Sequence, residues 1–282
     1  MTFTWLAHLR SDDVSVLETT CRNVPQTAVQ YLPPTPFARL HLVRSGSYRA
    51  RNSHLEVLVD PVTALFVTSD TAIETTHPSG YDSEVNVRLS LDVLSAIGGG
   101  SVDLPSEAPL TSRDVLACER ATSQLRRGNE DPFLMEELAI SLAARCLASV
   151  EPGRVETSRP AVRRHRDLFD DARAALVADM HRCSVVELSR LVSCSPHHLS
   201  RIFKSFTGHG ISRYRTNLRV RQALTRIAEG ENDLAKLAHE CGFADHAHLT
   251  RTFRRHLGET PSAARLLLSM QAPQGPLNVD QI

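Results

Sequence analysis

The stretch "PHHLSRIFKSFTG" at residues 196–208 returns as "HAHLTRTFRRHLG" at residues 246–258, fifty positions later. Five of the thirteen positions are identical in register: His198/His248, Leu199/Leu249, Arg201/Arg251, Phe203/Phe253 and Gly208/Gly258. In the first copy Leu199, Ile202, Phe203 and Phe206 fall on one stripe of a helix. His197, Ser200, Arg201 and Lys204 are left for the opposite face. In the second copy Leu249 and Phe253 take the inner side, and His246, Thr250, Arg251, Arg254 and Arg255 the outer one. Each copy ends in glycine, the residue best suited to the left-handed conformation that closes a helix.

Two amphipathic helices can share such a pattern by chance, so the residues in front of each copy matter. Before the first, Ser184-Val-Val-Glu187 has the form of a capping box and opens a short helix reaching about Val192. Ser195 then caps the next helix, with Pro196 at its first position. Before the second, Asn232 or Asp233 caps a helix carrying Leu234, Leu237 and Ala238. The turn "GFAD" follows, and its Asp245 caps the repeated segment. A short helix, a tight turn and a second helix with an arginine-bearing face is the helix-turn-helix arrangement, expected at about 185–207 and 234–257. Between the two, "ISRYRTNLRVRQALTRIAEG" reads as one helix stopped at Gly230. It spans roughly 25 Å, against about 34 Å between successive major grooves on one DNA face.

Charge agrees with that division. The 282 residues sum to a formal net charge of zero. Residues 1–158 carry 13 Arg and no Lys against 20 acidic groups, a net of −7, and residues 159–282 carry 19 basic against 12 acidic, a net of +7. Such asymmetry sets a half built for a polyanion beside a half with another task. Apolar content is an ordinary 41%. No run reaches the roughly 18 apolar residues of a membrane helix, and "MTFTWLAHLRSDD" lacks the parts of a secretory leader. A cytoplasmic protein with no membrane partner is the expectation. The six cysteines show no C-x-x-C and are read as free thiols, mostly buried, with a Cys118/Cys146 redox switch as the weaker alternative.

From about 26 to 92 the texture is β-like. "ARLHLVRSGSYRAR", "HLEVLVDPVTALFVTSD" and "SEVNVRLSLDVL" alternate apolar and polar residues between turn-forming positions, which predicts a sandwich or small barrel. Two helices should follow, one from Ser112 or Arg113 to Arg127 and one from Pro132 to about Ala148 after capping Asp131. The segment 151–166, rich in Pro, Gly, Ser and charge, reads as a linker, and 269–282 as a loose tail. The domain expectation is therefore 1–150, then the linker, then 167–268.

Residues 167–265 resemble the DNA-binding domain of the AraC-type (AraC/XylS) transcriptional regulators. The resemblance is carried by "SPHHLSRIFKSFTG", by Tyr214, Leu218, Arg219 and Ala223, and by Ala238, "GFAD", "HLTRTFRRHLGETP" and Arg265. Leu249 and Ala264 stand where that family often has aromatics. The N-terminal part is similar, more loosely, to the family's cupin-like effector and dimerisation domains, chiefly in strand order and in "DPVTALFVTSD…THP".

The fold expected is α+β: an N-terminal cupin-like β-barrel or jelly-roll with two helices, then an all-α domain with two helix-turn-helix motifs and a linking helix. The resemblance implies a transcription regulator binding double-stranded promoter DNA. It also implies a homodimer recruiting RNA polymerase, as an activator with repression left open, and either answering an unknown small-molecule effector or using its N-terminal domain only to oligomerise. Base-reading residues carry over onto His197, Ser200, Arg201, His246, Thr250 and Arg251; Lys204, Arg254 and Arg255 are expected on phosphates. No G-x-S-x-G, Walker loop or H-E-x-x-H occurs, so no catalytic residue is assigned. His41, His54 and His77 form no His-x-His…Glu pattern, so neither metal nor cofactor is expected. The alternative is a cupin-type metalloenzyme with an appended nucleic-acid module.

Overall fold

The computed structural model describes residues 2–53, 56–98, 106–126, 131–148, 160–179 and 183–269. Ten strands come from the N-terminal half: β1 (Thr2–Arg10), β2 (Val14–Arg22), β3 (Gln30–Leu32), β4 (Ala38–Gly46), β5 (Tyr48–Arg51), β6 (Glu56–Val59), β7 (Thr63–Val67), β8 (Ile73–Thr76), β9 (Asp82–Leu89) and, after helix α1 (Leu91–Ile97), β10 (Glu107–Pro109). They form two antiparallel sheets, a six-stranded one in the order β1-β2-β9-β4-β7-β10 and a four-stranded one in the order β3-β8-β5-β6. This is the cupin-like double sheet expected. Strands begin at Thr2, well before the β texture recognised from 26, and the end of "SEVNVRLSLDVL" is helix α1, started by Ser90, whose side chain accepts from Val93 N.

Side-chain parity gives the large sheet two unlike faces. Leu40 and Leu42 of β4, Ala64 and Phe66 of β7, and Val85, Val87 and Leu89 of β9 share one apolar cluster. Helices α2 (Ser112–Arg126) and α3 (Pro132–Ala148) pack on that face, adding Val115, Cys118, Ala139, Leu142 and Cys146. The opposite face, with Arg39, His41, Glu84, Asn86 and Arg88, turns toward the smaller sheet. Helices therefore bury the hydrophobic positions, and the polar ones line the space between the sheets.

Gly46 closes β4 at φ 74°, and a Cβ there would stand 2.2 Å from the carbonyl oxygen of Tyr81. Both the left-handed backbone and the close approach of β9 require glycine. Gly46→Ala is expected to cost roughly 2–4 kcal/mol, combining positive-φ strain with overpacking. Urea unfolding should report it as a lower midpoint at an unchanged slope.

The C-terminal half is helical: α4 (Pro160–Ala178), α5 (Val185–Leu191), α6 (Pro196–Thr207), α7 (Ile211–Ala228), α8 (Leu234–Glu240), α9 (His246–Leu257) and α10 (Pro261–Ser269). Residues 160–166, read as linker, form the opening turns of α4, which continues without a break into the segment bearing Phe169 and Arg173. Residues 149–159 and 270–282, with the remaining linker and nearly all of the tail, lie outside the described residues, as do His54 and Arg127.

Two cores divide these helices. Phe169, Leu176, Leu188, Leu199, Ile202, Phe203, Tyr214 and Leu218 make the core of the first motif. Val220, Leu224, Leu237, Leu249, Phe253 and Leu268 make that of the second, and this cluster is continuous with the helices α2 and α3 on the large sheet. The second motif and the β half thus share one hydrophobic cluster.

Candidate nucleic-acid interface and barrel cavity

Local chemistry sets both motifs. Ser184 and Glu187 form the reciprocal capping box at α5. Ser195 caps α6 through His198 N, and Asp245 caps α9 through His248 N. At α8 the cap is Asp233, which accepts from Ala235 N and Lys236 N. Gly208 and Gly258 end α6 and α9 at φ 73° and 83°, as their sequence positions predict.

Leu199, Phe203, Leu249 and Phe253 are fully buried. That burial turns His197, Ser200, Arg201 and Lys204 of α6 outward, together with His246, Arg251, Arg254 and Arg255 of α9; Thr250 is half-exposed. Among the described residues no carboxylate pairs with Arg201, Lys204, Arg251, Arg254 or Arg255, although carboxylates tie down Arg166, Arg173 and Arg226 elsewhere on these helices. Arg201 has one neighbour for its guanidinium, His198 Nδ1 at 3.4 Å, and Ser200 Oγ donates to Pro196 O at 2.8 Å. Since α6 starts at Pro196 and α9 at His246, His246 occupies the place of Pro196 and His197 that of Ala247. The two histidines are not counterparts; Arg201 and Arg251 are.

The spacer α7 runs 18 residues, about 27 Å of axis. Together with α4 it is tied to the β half by buried polar groups. Tyr214 OH donates to Asp60 of the β6–β7 turn, which also faces Arg173 Nε at 3.0 Å. Arg173, 1% exposed, further bonds Asp170 Oδ1 at 3.0 Å and Thr63 Oγ1 at 2.5 Å. Arg221 donates to the carbonyls of Pro61 at 2.6 Å and Leu110 at 2.5 Å, and burial pushes its guanidinium down to about 10. Thr225 Oγ1 donates to Glu119 at 2.8 Å, and the same carboxylate holds Arg44. Arg166 grips Glu107 with two bonds of 2.6 Å. These polar groups join five segments far apart in sequence, and none of the charges was marked by spacing or motif.

Between the sheets lies a cavity of about 320 Å³. Its lining carries charged groups of both signs among apolar ones: Arg39 and Arg88 on one part, His41, His77, Asp82 and Glu84 on another, with Cys21 and Tyr48 between and Leu17 and Leu32 beside them. His41 Nδ1 stands 3.1 Å from Glu84 Oε2, and Asn86 Nδ2 3.1 Å from the same nitrogen. Burial alone would raise Glu84, but the facing His41 outweighs it and holds the carboxyl below its usual range. Burial lowers the Arg39 guanidinium, and neighbouring Arg88 adds to that. Cys118 and Cys146, the pair considered for a redox switch, are both buried thiols pushed up to about 12 mainly by burial. That favours packing over reactivity.

Residues 188–266 match a family described as Helix-turn-helix domain. The HTH-type transcriptional regulator GlxA of Rhizobium meliloti is 26% identical over 180 residues, covering 64% of this chain and 52% of that protein. An AraC-like transcription regulator of Streptomyces antibioticus is 32% identical over 85 residues, 30% of this chain and 28% of that one. A crystal structure of the DNA-binding domain of AdpA in complex with a target DNA is 29% identical, covering 38% of this chain and 97% of that chain at a TM-score of 0.35. The chain thus spans about half the length, or less, of the relatives it matches. No helix among the described residues is long and apolar enough to cross a membrane. Residues 188–266, with their paired helix-turn-helix motifs, thus form a helix-turn-helix domain similar to those of AraC-like transcriptional regulators.

Proposed function

We propose that this chain is a sequence-specific, DNA-binding transcription regulator that lays α6 and α9 in successive major grooves of a promoter. One observation carries the reading: two capped recognition helices present arginines with no carboxylate partner, on the basic half of a chain whose other half is acidic. Carboxylates hold Arg166, Arg173 and Arg226, whereas these outward arginines are open to a polyanion. Arg201 and Arg251 are assigned to base edges, with His197, Ser200, His246 and Thr250 beside them, and Lys204, Arg254 and Arg255 to phosphates. The cavity is the proposed seat of a small polar effector. Its occupancy would shift the population of domain arrangements through the β6–β7 turn, which holds Arg173, Tyr214 and Arg221. Homodimerisation, recruitment of RNA polymerase and action as an activator in the cytoplasm belong to the same reading, which assigns no catalysis.

Selection of bound sites from random duplex DNA tests it, with two half-sites about one helical turn apart expected for one subunit. A single short element insensitive to Arg251→Ala would remove α9 from the reading. Lys204→Ala, Arg254→Ala and Arg255→Ala should weaken every sequence alike and each lower the salt slope by about one. A change in base preference at one of these positions would instead move that residue to the base-reading set.

A further inference from the structure

Cys21, His77 and Asp82 come from three separate places: strand β2, the turn after β8, and the first residue of β9. Cys21 and Asp82 are direct partners in the β2–β9 ladder, so the sheet itself fixes their separation. His77 is held in a tight turn by Gly80 N donating to His77 O at 2.9 Å, and its ring sits 6.1 Å from that of Tyr48. Their Sγ, ring-nitrogen and carboxylate-oxygen atoms all lie within 4.8 Å of one another. All three residues are at least 96% buried, and all three line the cavity.

Hydrogen bonding does not use up these donors. His77 Nε2 lies 2.8 Å from Asp82 Oδ1, an ion-pair contact. Yet His77 Nδ1 has no hydrogen-bond partner among the described residues. A buried polar atom left this way is costly unless something satisfies it. The neighbourhood adds negative charge, with Glu84 two residues along β9, and the thiol of Cys21 is pushed up to about 12 by burial and then by Asp82 and Glu84.

We propose that Cys21, His77 and Asp82 form a three-ligand site for a borderline divalent transition metal of the zinc class, with its fourth position open to the cavity. Thiolate, imidazole and carboxylate are the donor types zinc takes, and thiolate with imidazole disfavours magnesium and calcium. Ligand distances of about 2.0–2.3 Å around one ion need shifts of about 1 Å or less from the present spacing. Binding releases the Cys21 proton to solvent, so uptake strengthens as pH rises. The open position gives a cavity ligand an inner-sphere contact. The inference concerns the barrel alone, and DNA recognition by α6 and α9 does not depend on it.

The test is cobalt titration of the full-length protein after dialysis against chelator. One Co²⁺ per chain is expected, with tetrahedral d–d bands in the visible and a thiolate charge-transfer band in the near ultraviolet, both bleached by Zn²⁺. Cys21→Ser should lose the charge-transfer band. Asp82→Asn, which keeps the shape and serves if Cys21→Ser does not fold, should lose the d–d bands at the Co²⁺ concentration that saturates the wild type. No saturable uptake by the wild type overturns the site. So does a charge-transfer band that survives Cys21→Ser, because it would place the metal on another thiol such as half-exposed Cys194. DNA binding measured on the same samples stays intact if only this inference fails.

Discussion

Arg173→Met is expected to destabilise the chain by about 3–5 kcal/mol, the range for removing one partner from a buried ion pair. Arg173 is 1% exposed and faces two buried carboxylates, Asp60 and Asp170, each at 3.0 Å. Its guanidinium also sits over Phe169 and Tyr214, at 5.1 and 5.9 Å from the ring centroids. Methionine keeps most of the packing volume but leaves both carboxylates with fewer donors, and Asp60 is fully buried. Asp170 retains Arg166 at 3.0 Å, whereas among the described residues Asp60 retains Tyr214 and the amide of Val62, the latter at 3.0 Å. Asp60→Asn combined with Arg173→Met should therefore recover part of the loss, a coupling of about 0.5–3 kcal/mol in a double-mutant cycle. Urea unfolding of the four proteins measures this. A single-variant loss below about 1 kcal/mol would mean that Asp60 finds another cation or water when Arg173 is gone.

The double variant Arg201→Ala/Arg251→Ala should lose about 2–6 kcal/mol of specific DNA binding, roughly 30-fold to 10⁴-fold in Kd. Each arginine contributes about 1–3 kcal/mol if it grips a base edge with two bonds. They lie on helices from different motifs with separate cores, so the two terms should add. Anisotropy titration at one fixed salt concentration, on selected and on scrambled duplexes, reads the effect. Loss confined to the selected duplex places both residues on bases. Equal loss on both duplexes would place them on phosphates, and the reading of sequence would pass to the neighbouring histidines, Ser200 and Thr250. Folding is not at stake, because both side chains are exposed and neither helps cap or pack its helix.

Much of the helical half was legible because its determinants are local. Ser184 with Glu187, Ser195, Asp245, Gly208 and Gly258 each act on backbone groups within four residues, and all fall where their spacing indicates. The outward face followed from the inward one: once Leu199 and Phe203 are buried, Arg201 has to face solvent. The β half was legible in its alternation but not in its orientation. "SEVNVRLSL" separates Val85, Val87 and Leu89 from Glu84, Asn86 and Arg88, yet the pattern is the same whichever face turns inward. Here α2, α3 and the second motif cover the apolar face, so the polar set lines the cavity. Residues 160–166 are helical although Pro160 and a run of charge suggest a linker, because α4 anchors farther along through Phe169, Leu176 and the Arg166–Glu107 pair.

By itself the sequence determined the two helix-turn-helix units, their caps, their exposed arginines and the opposite charge of the two halves, all set by neighbours along the chain. Only the tertiary structure decided which sheet face encloses the cavity, that Arg173 and Arg221 fasten α4 and α7 to the β6–β7 turn, and that Cys21 meets His77 and Asp82. Such meetings join residues dozens of positions apart, fixed by strand register and helix packing. A linear pattern holds no record of that convergence.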